Sequence, residues 1–338
     1  MKLSVIDQSP VSVGFTPADA LRNTIDLARL ADRLGYHRYW IAEHHAIPAL
    51  ASPAPEILID RVAAETSTIR VGSGAVLLPH YSPLKVVETF RVLHALYPGR
   101  IDLGLGRAPG GTPLDTYALR RDRDRERDLG DDFPRQLIEL LTFLHGGFPP
   151  DHPFSRIHVS PAMPGAPDVW LLGSSLWSAS AAAQLGLPYA FAHFIDQLPT
   201  RPAIEHYRSH FISSNGSKPE IILALGVICA DTDEEAERLG GSARLFRRRI
   251  RQGDVRAIPT PEEALAELGP RNLEAAPETG EFPRYVIGAP DKVRTQLIDM
   301  GSQLGVDEMM IVTIVHDHRA RMHSYELLAD AFELARRA

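Results

Sequence analysis

Residues 66–110 have the sequence TSTIRVGSGAVLLPHYSPLKVVETFRVLHALYPGRIDLGLGRAPG, and this stretch decides the fold class. Ile69–Leu78 and Ile101–Leu105 are apolar runs typical of buried strands, and Pro83–Leu96 between them has the apolar spacing of a helix. Two buried strands joined by a helix form a parallel pair that is covered on both faces. The stretch therefore predicts an α/β protein with a parallel sheet.

The same alternation of strand and helix continues in both directions along the chain. Further strands are predicted at Leu3–Asp7, Tyr39–Ala42, Val169–Leu172, Tyr189–Ala192, Ile221–Ala230 and Met309–Val315. Further helices are predicted from Thr16-Pro17 to Gly35 and at Ile57–Ala64, Pro134–Leu144, Ser178–Leu185, Ile204–Phe211, Val293–Met300 and Tyr325–Ala335. About eight such units close naturally into a (β/α)8 TIM barrel, and a doubly wound open sheet is the structural alternative. We expect residues 1–338 to form a single domain.

Composition and charge exclude several classes of protein. The chain has 338 residues, 44% of them hydrophobic and 23% charged, with a net charge of −7. This is the composition of a globular protein, and its mild acidity argues against nucleic acid as a partner. The single cysteine, Cys229, cannot form an internal disulfide. Neither a bilayer-spanning apolar run nor the apolar core of a signal peptide is present, so we expect a cytoplasmic protein.

Two stretches interrupt the alternation. Residues 109–133 begin with Pro109-Gly110-Gly111 and contain the charged run RRDRDRERD at 120–128. Residues 253–284 are rich in Pro, Glu and Gly and show no clear periodicity. We expect both to be loop insertions: the first a solvated loop or frayed helix, or a mobile flap over a site, and the second a lid or a disordered segment.

Polar side chains follow most of the predicted strands. In a parallel barrel the carboxyl ends of all strands meet at one mouth, where such barrels have their sites. The residues at these positions are Glu43-His44-His45, His80, Arg107, Gly173-Ser174-Ser175, His193 and His316-Asp317-His318. Because so many polar groups meet at one end of the barrel, the sequence predicts a functional site there.

Two of these groups suit a phosphate. Gly173-Ser174-Ser175 would present N–H groups, hydroxyls and the positive end of a helix to an anion, although serine there can also simply cap the helix. Arg107 follows Gly104-Leu105-Gly106, whose missing side chains let a ligand approach; its guanidinium could hold a phosphate or form a salt bridge at the rim. The glycines do not match the dinucleotide fingerprint, because residue 109 is proline.

Other groups suit acid–base or metal chemistry. His44, beside Glu43, could move protons near neutral pH. His316 and His318 lie on the same side of an extended segment and could hold Zn²⁺ or Fe²⁺, or be solvated. Gly74 leaves a smooth strand wall that suits either a flat ligand or tight barrel packing.

The chain resembles the bacterial luciferase-like flavin-dependent monooxygenases, in particular their single-chain, alkanal-monooxygenase-like group. The segments that carry the resemblance occur in the family's order along nearly the whole chain: GYHRYWIAEHH (35–45), TSTIRVGSGAVLLPHYSPLKVVE (66–88), PGRIDLGLGRAPG (98–110), WLLGSSLWSASAAAQLGLPYAFAHF (170–194) and SYELLADA (324–331). The block from 66 to 110 is quite specific, whereas residues 253–284 match poorly.

The resemblance implies a (β/α)8 barrel that binds reduced FMN supplied by a separate flavin reductase. In this family the reduced flavin reacts with O2 to give a flavin hydroperoxide, which oxygenates an organic substrate. For this chain we expect a small, apolar substrate. The resemblance also implies a homodimer formed through helices that flank the early strands.

The resemblance assigns roles to individual residues. His44 falls on the family's active-site histidine, and Glu43 beside it would orient it or bind polar groups of the flavin. The family's non-prolyl cis peptide falls on Gly74-Ala75, against the flavin ring. Its phosphate site falls on Arg107, Gly173, Ser174, Ser175 and Ser178.

This chain departs from the family's pattern at two positions. Gly106 stands where luciferase-like enzymes often have a cysteine. His80 stands where we expect asparagine in close relatives, which would change the polarity of the pocket near the flavin. We expect the apolar part of the pocket wall to be formed by Phe15, Leu78, Tyr81 and Phe194.

Three alternatives differ from an FMN-dependent monooxygenase in what they bind. A deazaflavin-dependent oxidoreductase on the same barrel would transfer hydride and need no O2. A metal-dependent hydrolase would use His316 and His318 with a third ligand and would contain Zn²⁺ or Fe²⁺. A flavin-binding protein without catalytic activity would hold FMN but consume no oxygen.

Overall fold

Eight parallel strands close into a barrel, which confirms the predicted (β/α)8 fold. The computed structural model describes residues 1–120, 132–213, 216–269 and 280–337. The strands are β1 Lys2–Asp7, β2 Arg38–Ile41, β3 Arg70–Ser73, β4 Val76–Leu77, β5 Ile101–Gly106, β6 Asp168–Gly173, β7 Tyr189–Ala192, β8 Ile221–Cys229, β9 Tyr285–Gly288 and β10 Glu308–Val312. The barrel order is β1-β2-β3-β5-β6-β7-β8-β10, closed by pairing of β10 with β1. β4 pairs with β5, and β9 adds to the end of β8.

Helices connect the strands and cover the outside of the barrel. They are α1 Pro17–Leu34, α2 Pro55–Ala64, α3 Pro83–Leu96, α4 Pro113–Arg120, α5 Phe133–His145, α6 Leu176–Leu185, α7 Thr200–Ser209, α8 Asp233–Arg251, α9 Pro261–Leu268, α10 Pro290–Leu304 and α11 His318–Ala331. α1 begins and ends where the sequence predicts, because Thr16 accepts the Asp19 N–H and Gly35 takes a left-handed conformation with φ 87°. Among the helices of the described residues, none combines the length and apolar character that crossing a bilayer requires.

The inside of the barrel is filled by one set of buried side chains, the interior cluster, which includes Ile6, Trp40, Trp170, Ala190, Ile222, Ala224, Met310 and Val312. Toward the amino ends of the strands, the Arg38 guanidinium lies 4.6 Å from the Trp170 ring and pairs with Asp102 and Glu308 at 2.9 Å each. These buried charges satisfy one another. Barrels of this kind have their sites at the carboxyl ends of the strands, so we expect the space for a ligand there, at the barrel mouth.

The predicted strand Ile69–Leu78 is interrupted in the structure. β3 ends at Ser73 and β4 begins at Val76, and a short 3-10 turn follows. A cis peptide bond joins Gly74 to Ala75 in the gap between the two strands. The prediction of one continuous strand is therefore wrong, whereas the predicted position of the cis bond is confirmed.

Near the carboxyl terminus the last strand is shorter and the last helix begins earlier than predicted. β10 ends at Val312 rather than Val315. α11 begins at His318 rather than Tyr325, because the Asp317 side chain caps its first turn. The apolar run after β10 continues inside the protein without strand pairing, which its pattern alone could not show.

Both expected loop insertions contain a helix. α4 lies within residues 109–133, and α9 lies within residues 253–284. α9 packs on α8, where Arg249 forms an ion pair with Glu263 at 2.8 Å. The alternative of disorder is therefore wrong for α9, whereas a flap at the first stretch and a lid at the second stay predictions. The remainder of the two expected insertions falls partly outside the described residues, at 121–131 and 270–279.

Candidate active site

Small residues form the barrel mouth at the ends of β3 and β5. A Cβ on Gly74 would lie 3.0 Å from Ile6 Cδ1 and 3.1 Å from Trp40 Cβ, so at this position the glycine is explained by packing on the interior cluster. A Cβ on Gly106 would lie 3.1 Å from the Cβ of Ala75. Because Ala75 and Gly106 carry almost no side chain, they leave a smooth wall on which a flat ring can lie.

Glu43 ties the segment after β2 to the segment after β3. Its buried carboxylate accepts hydrogen bonds from the Leu77 N–H at 3.0 Å, from His45 Nε2 at 2.7 Å and from the Tyr81 hydroxyl at 2.8 Å. Burial and the charge of Glu43 raise the pKa of Tyr81, so its phenol remains a donor. Glu43 therefore holds β4 and Tyr81 in position.

The expectation that Glu43 orients His44 is wrong, because the histidine it binds is His45. Adjacent residues of an extended segment point in opposite directions, so one carboxylate reaches only one of the two imidazoles. His45 instead connects this segment to the loop after β5, where its backbone N–H donates to the Gly110 carbonyl at 2.9 Å.

His44 is a buried, neutral imidazole at the end of β2. Its backbone N–H donates to the Ser52 carbonyl at 3.1 Å, and its Nδ1 atom is buried without a hydrogen-bond partner among the described residues. Burial, with a smaller effect of neighbouring His45, lowers the pKa of His44 to about 4. A neutral ring with an unpartnered nitrogen can exchange a proton with a bound ligand.

His80 fastens the loop after β5 and does not line an open pocket. Its side chain is buried, its Nε2 donates to the Pro109 carbonyl at 2.8 Å, and its Nδ1 accepts from Arg120 Nε at 3.3 Å. Burial lowers the pKa of His80, which keeps the neutral form that both contacts need. Both ring nitrogens are therefore occupied within the protein, and an effect of His80 on the polarity of the pocket stays a prediction.

Arg107 lies at the amino end of α6. Its guanidinium carbon is 4.6 Å from the centre of the Trp177 ring, and Trp177 belongs to the first turn of that helix. Arg107 is exposed and forms no hydrogen bond or ion pair within the described ranges of the chain. The predicted arginine and the predicted helix terminus thus come together as a place for an anion.

Two predicted phosphate ligands have structural roles in α6. The Ser178 hydroxyl donates to the Ser175 carbonyl at 2.8 Å and lies 2.9 Å from the Tyr189 hydroxyl, so it is used inside the protein. A Cβ on Gly173 would lie 2.3 Å from Ser178 Oγ, which explains the glycine. Ser174 and Ser175, the latter also capping α6, are the serines that reach the surface beside Arg107.

Comparison with known proteins decides the family. Residues 1–308 match the family described as luciferase-like monooxygenase. The chain belongs to this family. It is 39% identical to a luciferase-like monooxygenase of Escherichia coli strain K12, over 98% of this chain and 96% of that protein.

Two further relatives align with almost the whole length of this luciferase-like monooxygenase. N-acetyl-S-alkylcysteine monooxygenase of Bacillus subtilis strain 168 is 36% identical over 100% of both chains. The crystal structure of apo-MsnO8 is 53% identical with a TM-score of 0.92, covering 99% of each chain. The protein is therefore an enzyme, an oxidoreductase of the monooxygenase type.

The histidines expected as metal ligands in the alternative hydrolase do not converge in this luciferase-like monooxygenase. His316 Nε2 donates to the Val13 carbonyl at 2.9 Å, and His318 Nε2 lies 3.2 Å from Asp26 at the surface. Within the described residues no group of three or more His, Cys, Asp or Glu side chains is placed to hold a metal ion. The two histidines have separate structural contacts.

Only part of the expected apolar wall borders the mouth. Leu78 is fully buried among the side chains between barrel and helices, so the expectation for it is wrong. Phe15 is exposed on the loop after β1. Phe194, together with Phe246 of α8, packs against the interior cluster. Sequence reasoning did not single out Phe246, because an aromatic residue within a charged helix gives no sign of what the helix packs against.

Proposed function

We propose that this luciferase-like monooxygenase depends on FMN and transfers one oxygen atom of O2 to a small, apolar organic substrate. Reduced flavin supplies the two electrons with which the second oxygen atom leaves as water. The observation that carries the proposal is the unpartnered, buried Nδ1 of His44 at the barrel mouth. A buried polar atom without a partner is costly, so it is expected to find one when a ligand binds.

Each part of the mouth has a task in this proposal. Arg107 and the N–H groups at the start of α6 would hold the FMN phosphate. Ala75 and Gly106 would lie against the flat ring, and Glu43 would keep the wall in place. His44 would hold or move a proton at Nδ1. α8 would exclude water from the reacting groups.

The proposal is tested by titrating the purified protein with reduced FMN in the absence of oxygen, followed by a pulse of O2. We expect saturable binding and, without substrate, a slow absorbance phase before oxidised FMN appears. Absence of binding to FMN in both redox states would contradict the proposal. A parallel titration with a deazaflavin identifies the hydride-transfer alternative, which would bind that cofactor and consume no oxygen.

Arg107→Ala is expected to weaken FMN binding by about tenfold to a hundredfold, because a charge-assisted hydrogen bond is lost. Riboflavin, which lacks the phosphate, is the matched control, and its affinity is expected to stay unchanged. Fluorescence titration with both flavins checks this. If the affinities for FMN and riboflavin fell equally, Arg107 would not act on the phosphate.

The enzyme needs a supply of reduced FMN. Since the sequence contains no dinucleotide fingerprint around its glycines at 104 and 106, we infer that a separate flavin reductase provides it. The cytoplasm, where reduced nicotinamides are available to such a reductase, is the compartment that fits this chemistry. The substrate panel for the assay begins with N-acetyl-S-alkylcysteines, the compounds in the name of the 36% identical relative.

We also propose a homodimer formed through α2 and α3. Ile57, Val92 and Leu96 on these two helices are 68%, 47% and 59% exposed, and a partner chain would cover these apolar side chains. Ile57→Glu is expected to convert the protein to a monomer, measured by size-exclusion chromatography with light scattering. Ile138→Glu on α5, a similarly exposed position, is the control and is expected to leave the dimer intact.

A further inference from the structure

One face of α8 packs against the interior cluster. Ala236 and Ala243 belong to the interior cluster, and a Cβ on Gly240 would lie 3.0 Å from Ile287 Cδ1 of the same cluster. Positions 236, 240 and 243 are spaced four and three residues apart, so they form one stripe along the helix. The next position of this stripe is Arg247. An arginine therefore stands on the apolar face of α8 that is turned to the barrel.

Arg247 is held beside aromatic side chains. Its Nη1 donates to the Phe194 carbonyl at 3.3 Å, and the Phe194 N–H donates to the Ala224 carbonyl, at 3.1 Å, on β8. Phe194 and Phe246 pack against the interior cluster, as does Leu172 at the end of β6. The guanidinium is thus tied by one long hydrogen bond to the backbone of a segment whose side chains are apolar.

Arg247 is a half-buried arginine of α8 without a carboxylate partner among the described residues, whereas Arg251, which also has none there, is exposed to solvent. The neighbouring arginines of the helix do have acidic partners: Arg238 with Glu235 and Glu262, Arg244 with Glu237, Arg248 with Glu267, and Arg249 with Glu263 and Glu267. A half-buried charge without a partner costs free energy, which a bound anion would recover.

We propose that Arg247 binds the anionic group of the acceptor substrate, so that the substrate class is an apolar organic anion such as a carboxylate. This deepens the proposed function and rests on it. The apolar body would lie on Phe194, Phe246 and Leu172, and the anion would pair with the guanidinium. The FMN phosphate is the other possible source of the negative charge, and Arg107 at α6 is the residue assigned to it.

The test uses the full chain, with and without oxidised FMN, and two matched series of probes. These are straight-chain carboxylates from hexanoate to dodecanoate and the primary amides of the same lengths, titrated by calorimetry. We expect carboxylates to bind more tightly than their amides. Arg247→Gln is expected to lower carboxylate affinity at least tenfold and to leave amide affinity unchanged, whereas Arg247→Lys retains part of the preference. Arg251→Gln, at an exposed position of α8, is the control without effect.

Three results would overturn the inference. The first is that no carboxylate of the series binds more tightly than its amide. The second is an unchanged carboxylate affinity in a folded Arg247→Gln protein, with thermal unfolding as the check of folding. The third is that Arg247→Gln weakens the binding of FMN but not that of riboflavin, because Arg247 would then hold the FMN phosphate. The proposed function fails by a different result, absence of FMN binding to the wild-type protein, which leaves the carboxylate preference measurable.

Discussion

Substituting His44 by alanine is expected to lower the rate of substrate oxygenation by about a hundredfold to ten-thousandfold. The neutral imidazole at the mouth has a buried Nδ1 without a hydrogen-bond partner among the described residues. The rate is measured in single-turnover experiments with saturating reduced FMN, so that weaker flavin binding does not contribute. His44→Gln keeps a hydrogen-bonding group but cannot exchange a proton. Its single-turnover rate should therefore fall nearly as far as that of His44→Ala.

The pH dependence tests the same residue. Burial lowers the pKa of His44 to about 4, so the ring is neutral in the folded protein well below the ordinary histidine range. If the neutral form is the active one, the rate should remain constant as pH falls through 6.5. The rate should decline only as the pH approaches the lowered pKa of His44, about 4. A decline centred near 6.5 would point to a different, solvent-exposed histidine.

His37→Ala is the matched control for His44. Burial lowers the pKa of His37 to about 4 as well, with smaller contributions from neighbouring charges, and it lies just before the same strand, β2. His37, however, is at the amino end of the strand, away from the mouth. We expect its substitution to leave the single-turnover rate within a factor of two or so of wild type. An equal loss in both variants would contradict a specific role for His44.

The barrel could be predicted from the sequence because its strands are buried on both faces and therefore appear as apolar runs. The position of the cis Gly74-Ala75 bond could be predicted through the family resemblance. The predicted ends of helices were less accurate where a capping side chain decides them. The Asp317 carboxylate caps α11, which therefore begins at His318, seven residues before the predicted start at Tyr325.

The partners of the site residues could not be predicted, because they come from segments that are distant in sequence. Glu43 is satisfied by Leu77 and Tyr81, more than thirty positions away, as well as by His45. Ser178 has the right spacing for a phosphate ligand, yet Tyr189 and the helix cap occupy its hydroxyl. Periodicity shows which elements form, but not which distant side chains each of them meets.

Substituting Arg321 by methionine is expected to lower the free energy of unfolding by about 3–5 kcal/mol, because it leaves a buried carboxylate without its counter-charge. Arg321 Nη2 and Asp7 Oδ1 are 2.7 Å apart, and the two side chains are 2% and 0% exposed. Asp7 also accepts hydrogen bonds from the Tyr39 hydroxyl at 2.5 Å and the Ser9 N–H at 2.8 Å. Urea denaturation measures the loss.

The pair also predicts how stability depends on pH. Burial acts to raise the pKa of Asp7, but the Arg321 charge and the hydrogen bonds from Tyr39 and Ser9 outweigh it, so this pKa lies below its ordinary value. A carboxyl whose pKa is lowered by folding stabilises the protein above its unfolded pKa of about 3.9. That contribution is lost as pH falls through the lower, folded value. Asp7→Asn should therefore flatten the acid side of the stability profile.

A double substitution separates the ion pair from packing. Asp7→Leu combined with Arg321→Met removes both charges together, so the double variant is expected to be more stable than Arg321→Met alone. Arg22→Met, which breaks the exposed pair with Asp19, is the surface control and should leave the midpoint of denaturation unchanged within error. If the losses of the two buried substitutions simply add, the charge of Asp7 is not what makes Arg321 necessary. The stability of this end of the barrel would then depend on the volume of the arginine side chain alone.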